Sequence, residues 1–345
     1  MINSRKKPKV RDGEVEILRR LRLRTDSRRG GVRLGIGDDC ALLRAKPGEE
    51  IAVTTDLSID GRHFHLDWHP PEAVGHRTLA RGLSDLAAMG ARPLAAFLSL
   101  GLPPALAACR GKQRPWVERF YDGLLALAND HRTPLAGGDL AESSVAVADI
   151  VMVGAVPAGR ALLRSGAQPG DFLYVTGTLG GASAGLLTLA ALASRSAQTG
   201  RRLRIPRGLE AILRPHLCPK PRIPQGLWLQ RRAIASAAID ISDGLSTDLS
   251  HLCEESDVAA EVDAAALPIA PGASLDQALH GGEDYELLFT ARPAVHLPRA
   301  VAGVPITRIG RIVRRRQESP QMLLRILSGL QTLEPRGWEH FSRKS

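Results

Sequence analysis

Aromatic residues are scarce, at 4% of 345 positions, which argues against a protein that grips single-stranded nucleic acid by stacking bases on rings. The four cysteines, Cys40, Cys109, Cys218 and Cys253, stand far apart with no CxxC among them. Neither a zinc framework nor a disulfide scaffold is expected, and reduced thiols in the cytoplasm fit better. Long apolar runs are missing too: LGGASAGLLTLAALA is shorter than a bilayer span and LAAFLSLGLPPALAA is broken by proline, so no membrane partner is expected. No apolar stretch follows the basic start MINSRKKPKVRD, which does not read as a secretory signal. The glycine-rich VTGTLGGASAGLL lacks the GK[ST] of a P-loop and fits G-x-G-x-x-G poorly, so its glycines are expected to serve close packing.

Positive charge is present in excess, at +10 overall, but it is local. Residues 1–33 hold 12 Lys or Arg against 4 Asp or Glu, which leaves the rest of the chain near neutral. A second basic run, RIGRIVRRR, covers residues 311–316 at its end. Such runs read as solvated faces, and no nucleic-acid partner is expected; a nucleic-acid module would instead bind through these ends, with affinity falling steeply in salt.

What the chain has is aspartate, recurring at turns and helix starts: Asp38 and Asp39 in GIGDDCALL, Asp56 in IAVTTD, Asp85 in LSDLAAMGA, Asp139 in LAGGDL, and Asp240 and Asp243 in AIDISDGLSTDL. Residues of this kind present oxygen atoms at turns with little steric cost. Carboxylates about 4 Å apart would repel by roughly 4 kcal/mol per pair at an effective dielectric of ~20. Convergence therefore requires hard cations, and all-oxygen ligation shared with phosphates points to Mg²⁺.

With 44% apolar residues and this length, two α/β domains with separate cores are expected. The glycine- and proline-rich PAGRALLRSGAQPGD divides them into residues 1–157 and 158–345. In the first, residues 13–24 read as an amphipathic helix with Val15, Leu18 and Leu21 on one side. IAVTTD reads as a strand whose end presents Thr54, Thr55 and Asp56, and GRHFHLDWHP as a loop carrying His63 and His65. Residues 72–90 read as a helix stopped by Gly90, which buries Asp85 in an apolar stretch. ARPLAAFLSLGLP follows as a strand, PWVERFYDGLLALANDH as a helix, LAGGDL as a phosphate-approaching turn and SSVAVADIVMVGAV as a strand. In the second, FLYVTG is a strand, residues 194–207 a polar excursion and HLCPKPRIPQG a proline-rich turn. Ser242, Asp243 and Gly244 start a helix whose N–H groups face an anion, Glu283 sits on a glycine turn, and Trp338 and Phe341 close the chain as a plug or a ring-stacking surface.

Taken together and in this order, GIGDDCALL, VTTD…GRHF, LSDLAAMGA, GGD, LLRSGAQPGD, IDISDGLSTDL, GGEDYEL and GWEHF resemble the thiamine-monophosphate kinase family, over residues 13 to 341. That family sits in a wider group with aminoimidazole ribonucleotide synthetase, selenophosphate synthetase and a hydrogenase maturation protein; another member of the group would share the acidic cluster but not the thiamine pocket. The resemblance implies two α/β domains of the aminoimidazole ribonucleotide synthetase-like type, with N-terminal sheets pairing across a homodimer. It implies in-line transfer of the ATP γ-phosphoryl group to thiamine monophosphate with several Mg²⁺ ions. By the resemblance Asp39, Thr54, Thr55, Asp56, Asp85, Asp139, Asp240 and Asp243 are metal ligands, with Asp38 a neighbouring candidate. Asp56, Asp85, Asp139 and Asp240 carry catalysis; Gly138, Asp139, Arg164, Ser242 and Tyr121 hold ATP; His63, Glu283 and Trp338 hold the thiamine phosphate. One departure stands out: Leu140 follows GGD where the family commonly has Thr.

Overall fold

The structure, a computed structural model, describes residues 14–25, 31–36, 40–108, 114–200, 203–316 and 321–338. Helix α1 (Glu14–Arg24) precedes two short strands, β1 (Val32–Leu34) and β2 (Leu42–Leu43), and the long β3 (Glu49–Ile59). Helix α2 (Pro71–Ala88) leads to β4 (Arg92–Leu102), α3 (Pro104–Ala107), α4 (Trp116–Asp130), β5 (Leu135–Glu142) and β6 (Val147–Pro157). There follow β7 (Phe172–Thr176), α5 (Gly181–Thr199), α6 (Glu210–Leu217), α7 (Ile223–Arg231), β8 (Ala235–Ile241), α8 (Leu245–Glu255) and β9 (Val258–Asp263). The described chain ends with α9 (Leu275–His280), β10 (Glu286–Ala291), β11 (Ala300–Val301), β12 (Val304–Arg314), β13 (Met322–Ile326) and β14 (Gly329–Thr332).

Two main sheets result. The first runs β3-β6-β4-β5, with β3 on its edge; the second runs β14-β13-β9-β12-β7-β10-β8, with β11 added on β12. Pairing is antiparallel except for β4 with β5 and β13 with β9.

Helix α2 joins the two halves. Its apolar residues at helical spacing, Leu79, Leu83 and Leu86, are fully buried. They share one core with Leu124 of α4, Ile150 and Met152 of β6, and Leu287 and Phe289 of β10. Pro71 starts the helix where a missing N–H is harmless. Gly90, at φ 63°, stops it, with Ala91 N–H donating back to Leu86 O at 2.8 Å. Helix α4 crosses so closely that a Cβ on Gly75 would lie 1.9 Å from Phe120 O, and one on Gly123 1.8 Å from Glu72 O. A second core, including Leu173, Ile239, Leu249, Val262 and Ile309, fills the other sheet.

Several expectations are corrected. LAGGDL is not a turn but strand β5; Gly138, at φ 143°, is required because a Cβ there would lie 1.9 Å from Leu98 O of the paired β4. Strand β3 continues three residues past Asp56, so Thr54, Thr55 and Asp56 lie within it rather than at its end. The polar stretch from residue 194 remains helical to Thr199, and HLCPKPRIPQG shrinks to a short link between α6 and α7. On α1 the buried face is Ile17 and Leu21, with Leu18 half-buried; the side chain of Val15, like Cys109, Phe341 and the basic residues 1–12, lies outside the description. The close-packing reading of the glycines after β7 holds: a Cβ on Gly185 would meet His216 Cβ at 2.8 Å. No described helix is long and apolar enough to cross a membrane.

Candidate functional site

Alternation along β3 turns Thr54 and Asp56 toward the protein and Thr55 to the exposed opposite face. Thr54 Oγ1 donates to Asp85 Oδ2 on α2, and the adjacent Ser84 Oγ donates to Asp240 Oδ2 on β8 at 2.6 Å. Asp56, Asp85 and Asp240 are thus gathered from three elements and both halves of the chain. Burial first, then repulsion from Asp85, pushes the Asp56 pKa up to about 6. Asp85 is pushed up to about 6 by burial and then Asp240, against the Thr54 hydrogen bond. Burial likewise pushes Asp240 up to about 6, opposed by the Ser84 hydrogen bond. Asp56 Oδ2 is buried with no hydrogen-bond partner, and its Oδ1 lies 3.7 Å from Arg81 Nε.

A second group closes over these acids. Glu283 N–H donates to Ser242 O at 2.8 Å and Tyr285 N–H to Ile241 O at 2.9 Å, zipping the glycine turn onto the end of β8. Glu283 and Tyr285 hold φ of 67° and 52°, a strain of order 1–3 kcal/mol each that the surrounding bonds must offset. Trp338 N–H donates to Asp243 O at 3.0 Å, which fixes the end of the described chain beside the same loop. A cavity of about 530 Å³ is lined by Asp56, Asp85, Asp240, Ser242 and Asp243 together with His63, Glu283 and Trp338, and Thr55 contributes at its rim. His63 Nδ1 accepts from Ile59 N–H at 3.1 Å, so the neutral ring carries its proton on Nε2.

Buried Arg77, 6% exposed, braces this wall. It donates to both Glu283 oxygens at 2.8 Å, to His63 O at 2.9 Å and to His216 O at 3.1 Å. Burial, and then Arg77, hold the His69 pKa down to about 3 and that of His216 well below its usual value. The two rings, Nε2 to Nε2 at 3.0 Å, are therefore neutral.

Other expected residues sit elsewhere. Tyr121, Gly138 and Asp139 line a different cavity of about 620 Å³, with Leu18, Phe97 and Leu98. The Asp139 carboxylate is exposed and accepts from Leu140 N–H, so it does not join the other acids. Leu140 packs against the first core, which accounts for an apolar side chain at that position. Arg164 is exposed and lines neither cavity, yet its charge lowers the pKa of Asp85 and Asp240. The N–H groups expected to face an anion at the start of α8 are already taken: those of Ser242, Asp243 and Gly244 donate to Asp248 Oδ2 at 3.0, 3.1 and 3.0 Å. Asp38 and Asp39 lie outside the described residues. Among the described residues, no group of three or more His, Cys, Asp or Glu is placed to hold a metal ion as the side chains stand.

Arg77, Arg81, His69 and His216 escaped sequence reasoning. The two arginines had a usable signal, since they precede Asp85 by eight and four residues on one helix and so share its face. The histidines had none, because 147 residues separate them.

Comparison with known proteins bears on this arrangement. Residues 37–156 match the family AIR synthase related protein, N-terminal domain, and residues 168–322 match its C-terminal domain. The chain is 40% identical over 345 residues to the thiamine-monophosphate kinase of Salmonella typhimurium, covering 96% of this chain and 98% of the relative. Among solved structures it resembles thiamine-monophosphate kinase from Stenotrophomonas maltophilia K279a, at a TM-score of 0.74 and 39% identity over 89% of this chain and 94% of that one. It also resembles AaThiL complexed with AMPPCP and TMP, at a TM-score of 0.70 and 30% identity over 98% of this chain and 100% of that one.

Proposed function

The chain belongs to the thiamine-monophosphate kinases of the AIR synthase-related family, and from that premise we propose how its two cavities divide the reaction. The enzyme converts thiamine monophosphate and ATP to thiamine diphosphate and ADP. Tyr121, Gly138 and Asp139 take the nucleotide in the first cavity; its phosphates reach toward Ser242, which lines the second, and Arg164, which lines neither, acts on them through its charge. His63, Glu283 and Trp338 hold the thiamine phosphate in the second, where the half-exposed Trp338 ring stacks on the cationic thiazolium. The acceptor is already an anion, so no strong base is needed. The chain's task is to bring two polyanions into line, and binding from both sides does this.

The donor set fits Mg²⁺. Asp56 Oδ2 is an orphaned buried acceptor, and three acids with raised pKa values are a cluster that a hard cation relieves. Thr54, Asp56, Asp85, Asp240 and Asp243 are the ligands this site offers. Asp139 and Asp39 are reserved for ions carried with the nucleotide, and Thr55 contributes only from the rim. Bound Mg²⁺ supplies charge neutralisation and orientation of phosphoryl oxygens.

The family resemblance also favours a cytoplasmic homodimer of two-domain subunits, divided at residues 157 and 158. Exposed Ile51, Val53 and Leu57 on edge strand β3 offer the apolar face through which two N-terminal sheets pair.

The observation that most supports this reading is the single 530 Å³ cavity, in which acids from β3, α2 and β8 face His63, Glu283 and Trp338. The test is an assay with ATP, Mg²⁺ and thiamine monophosphate, resolving products by chromatography. Thiamine diphosphate and ADP are expected in equal amounts; ADP alone would reject the acceptor assignment.

A further inference from the structure

Two arginines on one face of α2 behave differently. Arg77 is engaged with Glu283, His63 O and His216, whereas Arg81, one turn further on, is not. Among the described residues, Arg81 makes one long hydrogen bond, from Nη1 to Ser58 Oγ at 3.4 Å, and one loose ion pair with Asp56 at 3.7 Å. Direct pairs in this chain look different: Arg92 meets Glu49 at 2.9 Å and Arg119 meets Glu72 at 2.7 Å. A guanidinium carries five N–H donors in a planar fork, so most of those on Arg81 have no protein acceptor. The side chain is 19% exposed and what it faces is the cavity, which it lines with Asp56 and Asp85 on one hand and His63, Glu283 and Trp338 on the other.

Building on the thiamine-monophosphate kinase reading, we infer that Arg81 binds the phosphate of the acceptor. The chemistry matches on both sides. A phosphate monoester offers the paired oxygens that a guanidinium fork takes in bidentate fashion. Placed between the acids and the groups that hold the rest of the acceptor, a fixed cation also screens the acceptor phosphate from Asp56 and Asp85 as the second anion approaches. Arg77 cannot take this part, because its donors already hold Glu283 and the carbonyl oxygens of His63 and His216. The role of Arg77 is to keep the wall in place, and that of Arg81 is to meet the ligand.

The experiment is steady-state kinetics on Arg81→Met and Arg81→Lys beside the unsubstituted enzyme, with KM for thiamine monophosphate and for ATP determined separately and thermal unfolding as the check on folding. Loss of a charge-assisted pair raises KM for thiamine monophosphate about 10- to 100-fold in Arg81→Met. KM for ATP stays within about threefold, and Arg81→Lys recovers part of the loss because it keeps the charge but not the fork. An unchanged KM for thiamine monophosphate overturns the inference. So does an equal rise for both substrates, or a loss that the lysine does not recover while the unfolding midpoint falls, since each marks a structural role. Failure of the unsubstituted enzyme to turn over thiamine monophosphate is read first and refutes the underlying assignment along with this one.

Discussion

Replacing Asp56 by Asn should stabilise the metal-free fold while it abolishes turnover. Asp56 is held near pKa 6 against a usual 3.8, by burial and by Asp85. An acid raised in this way makes the folded state bind more protons than the unfolded chain between roughly pH 4 and 6, so stability falls as pH rises through that window and levels off above it. By pH 8 the ionised carboxylate disfavours the fold by about 3 kcal/mol. Asparagine removes that cost, in which the opposing attraction of Arg81 is already counted, and relieves Asp85, while its amide leaves a buried polar group in the same place. The net expectation is a gain of about 1–3 kcal/mol at pH 8 in chelator, a rise of a few degrees in Tm, shrinking toward zero near pH 4. Mg²⁺ should raise Tm of the unsubstituted enzyme at pH 8 and do so less for Asp56→Asn. Thermal unfolding across pH, with and without chelator, reads all of this, and the product assay reads turnover. A variant less stable than its parent at pH 8, or one with normal turnover, would refute the account of Asp56 as a ligand under electrostatic strain.

Arg77→Met should leave Glu283 and two carbonyl oxygens without their donor. About 3–5 kcal/mol of stability is expected to go with it, and KM for thiamine monophosphate should rise more than KM for ATP; an unchanged unfolding midpoint would show the brace to be dispensable. Val53→Lys places a charge on the exposed face of β3, where Val53 is 61% exposed. Light scattering should then report a dimer for the parent and a monomer for the variant, with the fold intact by circular dichroism; a monomeric parent would refute the pairing of N-terminal sheets.

The elements that were legible in the sequence are those set by local rules. Leu79, Leu83 and Leu86 recur at helical spacing and Gly90 ends the run, so α2 and the presence of Asp85 on it could be read directly. The same holds for the start of α8 at SDG. LAGGDL misled because two glycines look like a turn, whereas Gly138 is there to let β5 approach Leu98 O on a strand far away in sequence. The N–H groups at the start of α8 misled for a similar reason: nothing local tells that Asp248 will reach back to take them first.

By itself, then, the sequence determined the residue types, their order and the local periods, and these sufficed for the family, most elements and the candidate acids, since helix and strand patterning acts between near neighbours. Only the tertiary structure decided which candidates meet. It grouped Asp56, Asp85 and Asp240 with His63, Glu283 and Trp338, sent Asp139 to a different cavity, turned Thr55 outward, and left Arg81 facing the cavity while Arg77 was engaged. The physical reason is that burial, pKa and unmet hydrogen-bond donors are set by residues from 23 to 206 positions apart, brought together only when α2 packs between the two halves.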